Sequence, residues 1–477
     1  MTPKASKIDF FNSPSSVEEN KKIRIVKAEL YILPVTLRIP LKFGDQVLQS
    51  VSCARVKIII ENSKGKQAEG WGETPLSAAW VWPSNLEYNT REKRLIEICK
   101  SIGDAYCQLN IEGHPFELGQ KFIQNHIKDL KNEHNQFYNK DEELPYLGAL
   151  VAFSPYDLAV YDAYAKMNNC RVFQILGGEY LNLDMADIFN DKSFSGKYIS
   201  DYLESYKTKL PVWHLVGGLD ALDEGELTGD EPNDGYPTTL EDWINKDGLN
   251  CLKIKLTGID WDWDFERIRK IFNIGKKLGV QFYSADFNCT VKDTAYVNSI
   301  LDALQKELPY SYSQLLYVEQ PFPYELEKYR IDVSSVAKRK PIYLDESAHD
   351  WSYIKLGKSL GWNGVALKTC KTLTGALLSL CWAKQNNMKI MVQDLTNPML
   401  AQIPHALLAA NSGTIMGVES NAMQFYPEAS LPESKIHPGI YNRANGILNL
   451  ETLGDKGFGY RTAEIKRELP NPVHKVN

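Results

Sequence analysis

Two lysines one residue apart, Lys253 and Lys255, interrupt the apolar run C-L-K-I-K-L over 251–256. Alternate residues of a strand share a face, so the two ammonium groups would stand together, with Leu252, Ile254 and Leu256 opposite. Alone, such a pair reads as the wet face of a surface strand. The downstream sequence gives it another setting. Short apolar runs recur, each closing on a charged residue: Asp286, Glu319, Asp345, Lys368, Asp394 and Glu419. From Lys255 onward these positions are 23 to 33 residues apart. An eight-unit barrel of about 250 residues spends a similar length on each strand and helix. Each charged residue would then end a barrel strand, at the rim where barrel enzymes carry their chemistry.

Three carboxylates, Asp286, Glu319 and Asp345, on consecutive strand ends would not all stay ionised without a cation among them. Oxygen ligands suit a hard divalent ion, magnesium before others. No histidine or cysteine joins the three, which speaks against zinc. Lys255 on the second strand and Lys368 on the sixth would face each other across the barrel. With a substrate carboxylate held at the metal, one lysine could take the proton beside it and the other return a proton on the opposite face. The charge of the resulting enediolate would be offset by the metal. Such a pair inverts a stereocentre. Burial, the neighbouring Lys253 and the ion are all expected to lower the pKa of a lysine base.

The elements that must position these groups are legible in part. Strand patterns cover Ile23–Val35 and Ala54–Glu61, and Gly70–Glu73 suggests a short third strand. The polar stretch Arg38–Ser52 between the first two is long for a hairpin and reads as a loop. Leu95, Ile98 and Ile102 have helical spacing within Arg91–Leu109, and Phe116–Leu130 reads alike. Leu147–Met167 is a long apolar helix in which Pro155 predicts a break, or a start near Ser154. Asp157 and Asp162 inside it read as cap or surface residues. Leu210–Leu215 would open the barrel, with His214 a structural histidine near its end. The acidic stretch Gly217–Asp242 is too polar for core and too long for a simple connection. It reads as a loop over the barrel mouth or as a surface insertion. Asp260–Gly279 is a helix with acids at its start and lysines at its end, and Trp351–Gly361 and Gly375–Gln385 are further outer helices.

Composition bounds the partners. The chain has 477 residues, 24% charged and 43% hydrophobic, ordinary for a globular protein with a large core. A net charge of −6 with interspersed signs argues against nucleic acid or an anionic membrane as the main partner. Eight scattered cysteines without a C-x-x-C pair point to free thiols in a reducing cytosol, hence a cytoplasmic protein. No apolar run reaches membrane-spanning length.

Several of these pieces occur together in a known family. K-x-K at Lys253 and Lys255, D-x-N at Asp286 and Asn288, E-Q-P at Glu319–Pro321, D-E-S at Asp345–Ser347 and L-K at Leu367-Lys368 resemble, in order and spacing, the muconate-lactonizing subgroup of the enolase superfamily. The stretch from Asp157 to Lys166, followed by Leu176-Gly177-Gly178, resembles that family's join between lid and barrel. The resemblance implies an α/β fold, a (β/α)7β TIM-like barrel with an N-terminal α+β capping domain. The domains expected are a flexible extension over 1–22, the capping domain over 23–184, the barrel over 185–430 and a C-terminal segment over 431–477 packing back on the cap. It implies Mg2+ on Asp286, Glu319 and Asp345, Lys255 and Lys368 as the acid/base pair, and Lys253 as the neighbour that tunes Lys255. Asn288, Asp394 and Glu419 are supporting candidates, Asp394 either touching substrate or orienting Lys368. The substrate would be a small carboxylate and the protein a homo-oligomer.

The activity this favours is a magnesium-dependent racemase or epimerase. A lyase or cycloisomerase like o-succinylbenzoate synthase or muconate cycloisomerase would need only one lysine base. A barrel glycosidase using two of the carboxylates, or a binding protein without turnover, are readings of a different class. The strand-eight end, Glu419-Ser420-Asn421, lacks the D-x-D that dipeptide epimerases tend to carry. Strand seven lacks the histidine base of mandelate racemase-like members.

Overall fold

The computed structural model describes residues 21–44, 46–109 and 111–477. All but the last two residues of the extension expected over 1–22 lie outside them. Three strands, β1 (Ile23–Phe43), β2 (Gln46–Asn62) and β3 (Gln67–Pro75), come first. The barrel strands follow: β4 (Lys209–Val216), β5 (Cys251–Lys255), β6 (Phe282–Asp286), β7 (Leu315–Glu319), β8 (Ile342–Leu344), β9 (Gly364–Leu367), β10 (Lys389–Val392) and β11 (Val418–Glu419). Last come β12 (Ile447–Asn449) and β13 (His474–Val476). The first sheet is antiparallel in the order β13-β1-β2-β3, so the end of the chain supplies its edge strand.

The second sheet is a parallel barrel in which each strand pairs with the next in sequence, and β11 returns beside β4. The seam between β10 and β11 is bridged by the Ile415 N–H, which donates to Ile390 O at 2.9 Å. The fold is thus a (β/α)7β barrel with an N-terminal α+β capping domain. Among the described residues no helix is long and apolar enough to cross a membrane.

The two-residue period of a strand sorts the barrel interior into layers. Trp213, Cys251, Tyr317, Tyr343 and Met391 form a separate buried cluster inside the barrel. Two residues further along four of those strands stand Lys253, Glu319, Asp345 and Gln393. An apolar plug therefore floors a polar layer, and the floor denies water to the charges above it.

Three expectations are corrected. The stretch Arg38–Ser52 is no loop: β1 and β2 continue through it as the two arms of a hairpin, with Phe43 opposite Gln46. A register shift between Thr36 and Leu41 turns Leu41, Phe43 and Leu48 to the buried side, so the apolar residues of a polar-looking stretch face the barrel. Secondly, the helix Tyr146–Met167 runs through Pro155 unbroken. An internal proline costs about 3 kcal/mol, but every residue except Tyr146 and Lys166 is buried. Each large apolar side chain so covered stabilises by about 1.5–3 kcal/mol, and the packing prevails. β3 lies on this helix backbone to backbone. A Cβ on Gly70 or Gly72 would come within 2.1 Å of Ala159 O or Pro155 O.

Thirdly, Asp157 and Asp162 are fully buried rather than on the surface. Asp157 accepts from Thr374 N (2.9 Å) and Oγ1 (2.7 Å), capping from the outside the barrel helix Leu373–Gln385. Asp162 accepts from Trp71 N (3.0 Å) and Phe458 N (2.9 Å). On the same helix Ser154 Oγ donates to Thr369 O at 2.8 Å, next to Lys368. The capping domain is thereby fastened to the loop that carries one of the candidate lysines.

The acidic stretch Gly217–Asp242 packs on the hairpin. Arg38 donates to Asp234 through Nε (2.6 Å) and Nη2 (2.9 Å), and the Gly218 N–H donates to Lys42 O (3.0 Å). His214 is buried against Trp243, 5.7 Å between ring centres, and burial pushes its pKa well down. It stands there as a neutral core residue.

Candidate active site

The residues singled out above come together at the C-terminal mouth of the barrel. Lys253 and Lys255 lie on β5, Asp286 ends β6, Glu319 ends β7, Asp345 and Lys368 follow β8 and β9, and Glu419 ends β11. All are buried; Lys253 is 2% and Lys255 7% exposed, so this is no wet strand face. In an eight-stranded barrel β5 and β9 are four strands apart, which puts Lys255 and Lys368 on opposite walls. Both line a chamber of about 40 Å³, which the capping domain closes with Leu41, Phe43, Leu48 and Trp80.

Every ammonium group there meets carboxylate. Lys253 Nζ is 2.7 Å from Glu319 Oε1, 3.1 Å from Glu419 Oε2 and 3.2 Å from Asp286 Oδ2. Lys255 Nζ is 2.5 Å from Asp286 Oδ2. Lys368 Nζ is 3.0 Å from Asp345 Oδ2 and donates to Asp394 O at 3.1 Å. A fourth lysine, Lys371, is buried beside them. It donates to the Asp345 carbonyl and lies 3.4 Å from Oδ1 of the same residue. Two aromatic faces back the lysines: Trp80 at 4.7 Å from Lys368 Nζ and Phe43 at 5.8 Å from Lys255 Nζ.

Three supporting candidates take roles the sequence left open. The Asp394 carboxylate accepts from Asn421 N (2.9 Å) and Nδ2 (3.1 Å), so its side chain is spent on the strand-eight turn while its carbonyl orients Lys368. Asn421 Nδ2 also donates to Glu419 Oε1 at 2.7 Å, and the other Glu419 oxygen holds Lys253. Asn288 donates its N–H to Asp286 Oδ1 (2.9 Å) and its Nδ2 to Glu346 Oε1 (3.1 Å).

The charges do not balance. Asp286, Glu319, Asp345, Glu346, Asp394 and Glu419 are six buried carboxylates, against four buried lysines. Fully ionised, the mouth carries two surplus negative charges away from water, which is costly. The titration of the groups reflects it. Burial and the nearby Asp286 push the Glu319 carboxyl well up; burial, with Asp345, raises Glu346; burial, with Asp394, raises Glu419. Against burial, Lys255 and Lys253 hold Asp286 below the usual range, and Lys368 and Lys371 do the same for Asp345.

The lysines differ from expectation. Burial alone would lower Lys253, but Glu319, Glu419 and Asp286 outweigh it and hold it well up. Lys368 is likewise raised, burial being outweighed by Asp345. For Lys371 burial prevails over Asp345 and lowers the pKa. The sequence assigned Asp286, Glu319 and Asp345 to a cation, whereas in the structure each meets a lysine.

Among the described residues no three His, Cys, Asp or Glu side chains are grouped as ligands of a metal ion. Asp286, Glu319 and Asp345 each turn an oxygen to a lysine instead. The donor chemistry nevertheless fits a hard divalent cation. The donors are carboxylate oxygens alone, they are buried on neighbouring strand ends, and the surplus of two charges is what one such ion would cancel.

Four neighbours of the site escaped the sequence reading. Glu346 and Lys371 adjoin recognised motifs but carry no periodicity of their own. Gln393 donates to Glu319 Oε2 at 2.5 Å and could have been found as the inward residue two after Met391. Trp80 has no signal, since it reaches Glu346 (3.1 Å) from another domain.

No protein-family model matches the chain, and no curated protein matches it in sequence. Solved structures do share its fold. A dipeptide epimerase from Enterococcus faecalis V583, complexed with Mg and the dipeptide L-Leu-L-Tyr, is 18% identical with a TM-score of 0.59, over 91% of this chain and 99% of that one. An N-succinyl Arg/Lys racemase from Bacillus cereus ATCC 14579 is 16% identical with a TM-score of 0.61, over 95% and 99%. A mandelate racemase/muconate lactonizing protein from Herpetosiphon aurantiacus is 16% identical with a TM-score of 0.58, over 91% and 97%. The likeness is one of fold: capping domain and barrel are covered together.

Proposed function

We propose that this chain is an enzyme of the enolase superfamily, an isomerase that racemises or epimerises a small carboxylate by removing the proton beside it. The observation that carries the reading is the placement of Lys255 and Lys368 on opposite walls of one chamber, over a buried set of carboxylates with two charges to spare. Asp286, Glu319 and Asp345 would hold Mg2+, as the Mg-complexed epimerase of the same fold encourages. Bound there, the ion supplies positive charge against which a substrate carboxylate can accept electrons.

The remaining steps belong to the side chains. Lys255 or Lys368, whichever is neutral, takes the α-proton; the other, still protonated, returns one on the opposite face. Lys253, pinned among Glu319, Glu419 and Asp286, stays charged and offsets the enediolate. Leu41, Phe43 and Trp80 exclude water, which strengthens each of these interactions. The present pairing of Lys368 with Asp345 makes it an acid. A cation on the carboxylates would weaken that pairing and free a lysine to act as base.

A second reading has its own observation. The two lysines are not equivalent, since Lys368 is held by Asp345, the Asp394 carbonyl and the Trp80 face. A lyase or cycloisomerase would use Lys255 alone as base and keep Lys368 as a fixed charge. Incubation of a carboxylate panel with magnesium in deuterated water separates the two. A two-base enzyme exchanges the α-hydrogen of both enantiomers, and Lys255→Ala and Lys368→Ala each stop exchange from one of them. A one-base enzyme exchanges without inversion and depends on one lysine for abstraction. Exchange that survives both substitutions, or full activity after chelation of divalent ions, overturns the proposal.

A further inference from the structure

Beside the chamber lies a second cavity of about 220 Å³. Phe43 and Trp80 line both spaces, so the two share an aromatic wall. The chamber side of that wall carries lysines together with Asp394 and Glu419. The far side carries carboxylates alone: Glu346 and Glu325 line it, and no lysine, arginine or histidine does. Tyr324 and Asn288 complete its rim.

Glu346 is only 6% exposed. Its Oε1 accepts from Trp80 Nε1 and Asn288 Nδ2, both at 3.1 Å. Its Oε2 has no hydrogen-bond partner, and neither has Asn288 Oδ1. The amide oxygen of Asn288 can only accept, and the Glu346 oxygen beside it faces no donor. The Cys289 thiol beside them, kept protonated by burial and by Glu346, is a weak donor at most. Buried acceptors left unmatched are costly, and a charged donor satisfies them best. The faces of Trp80, Phe43 and Tyr324 favour the same sign of charge.

We infer that this cavity is the subsite for a cationic group, an ammonium or guanidinium, at the far end of the substrate. The inference rests on the reaction proposed for the chamber next door. The chamber, about 40 Å³, is the smaller of the two spaces, and the second cavity, about 220 Å³, has room for an arm with a charged end. A carboxylate-ended arm would meet Glu346 and Glu325 and be repelled.

The test compares ligands that differ only in that charge: N-acetylarginine with N-acetylcitrulline, and Ala-Arg with Ala-citrulline. Affinities are measured by calorimetry with magnesium present, on wild-type protein and on Glu346→Gln. The arginine member should bind about tenfold tighter or more, and Glu346→Gln should erase most of that ratio at a magnesium concentration that saturates both proteins. Equal affinity within the pairs, no binding of either arginine ligand, or a ratio that survives Glu346→Gln overturns the subsite. The two proposals fail separately. Solvent exchange with equal preference for arginine and citrulline removes the subsite alone. An arginine preference that depends on Glu346, without exchange on any carboxylate, removes the proposed reaction alone.

Discussion

The barrel mouth and the seam between the capping sheet and the C-terminal segment both bury a cluster of charge, and they are built differently. At the seam, Arg55 pairs with Glu73 and lies 3.4 Å from Glu433, and Arg467 Nε donates to Glu433 at 2.7 Å. Two guanidinium groups meet two carboxylates. Arginine does not titrate in a protein, and its planar fork fixes geometry. The mouth uses lysine, which can lose its proton when its surroundings change, and sets four of them against six carboxylates. A balanced cluster that cannot titrate ties segments together. An unbalanced one that can titrate waits for a ligand to complete it.

The largest effect should come from the mouth. Lys255→Ala or Lys368→Ala is expected to lower the rate of α-hydrogen exchange per folded molecule by about 10²–10⁴-fold, the usual contribution of a general acid or base. A loss of fold in place of a loss of rate would make these lysines structural, like Arg55. At the seam the opposite is expected. Arg55→Met leaves Glu73 buried without its partner and should cost about 3–5 kcal/mol in denaturant unfolding, while exchange per folded molecule stays within about twofold.

Magnesium sharpens the contrast further. At a hundredfold excess over its dissociation constant it should stabilise the wild type by about 2.7 kcal/mol. Arg55→Met should keep that gain and Glu319→Gln should lose it. The smallest effect concerns pH and the capping domain. His114 Nδ1 accepts from Phe116 N at 3.1 Å and caps the helix Pro115–Phe122. Burial lowers its pKa to about 3, below the usual 6.5 of an unfolded chain. The unfolded state therefore binds the proton first, and stability is complete above pH 6.5 and is lost as pH falls toward 3. By pH 5 the loss should be about 2 kcal/mol. His114→Asn, which can still cap, should flatten that slope.

Much of the mouth was legible because a strand repeats every two residues and a barrel repeats every strand–helix unit. Lys253, Lys255, Asp286, Glu319, Asp345, Lys368 and Glu419 all follow from those two periods. What escaped depends on contacts between distant segments. Trp80 and Glu346 are 266 positions apart, and nothing local to either shows that they meet. Pro155 misled because local propensity predicts a break, whereas burial on every side decides. Arg38–Ser52 misled because its composition is polar, and only the register of β1 on β2 shows which residues turn inward.

The sequence by itself determined the order and spacing of the charged strand ends, because chain geometry alone fixes where such residues fall on a barrel. The pairing of each lysine with a carboxylate was decided by tertiary structure, as were the closure of the chamber by the hairpin and Trp80 and the sign of the cavity behind them. Those depend on distances across the fold and on which charges lose their water, and neither quantity exists until the two domains have packed.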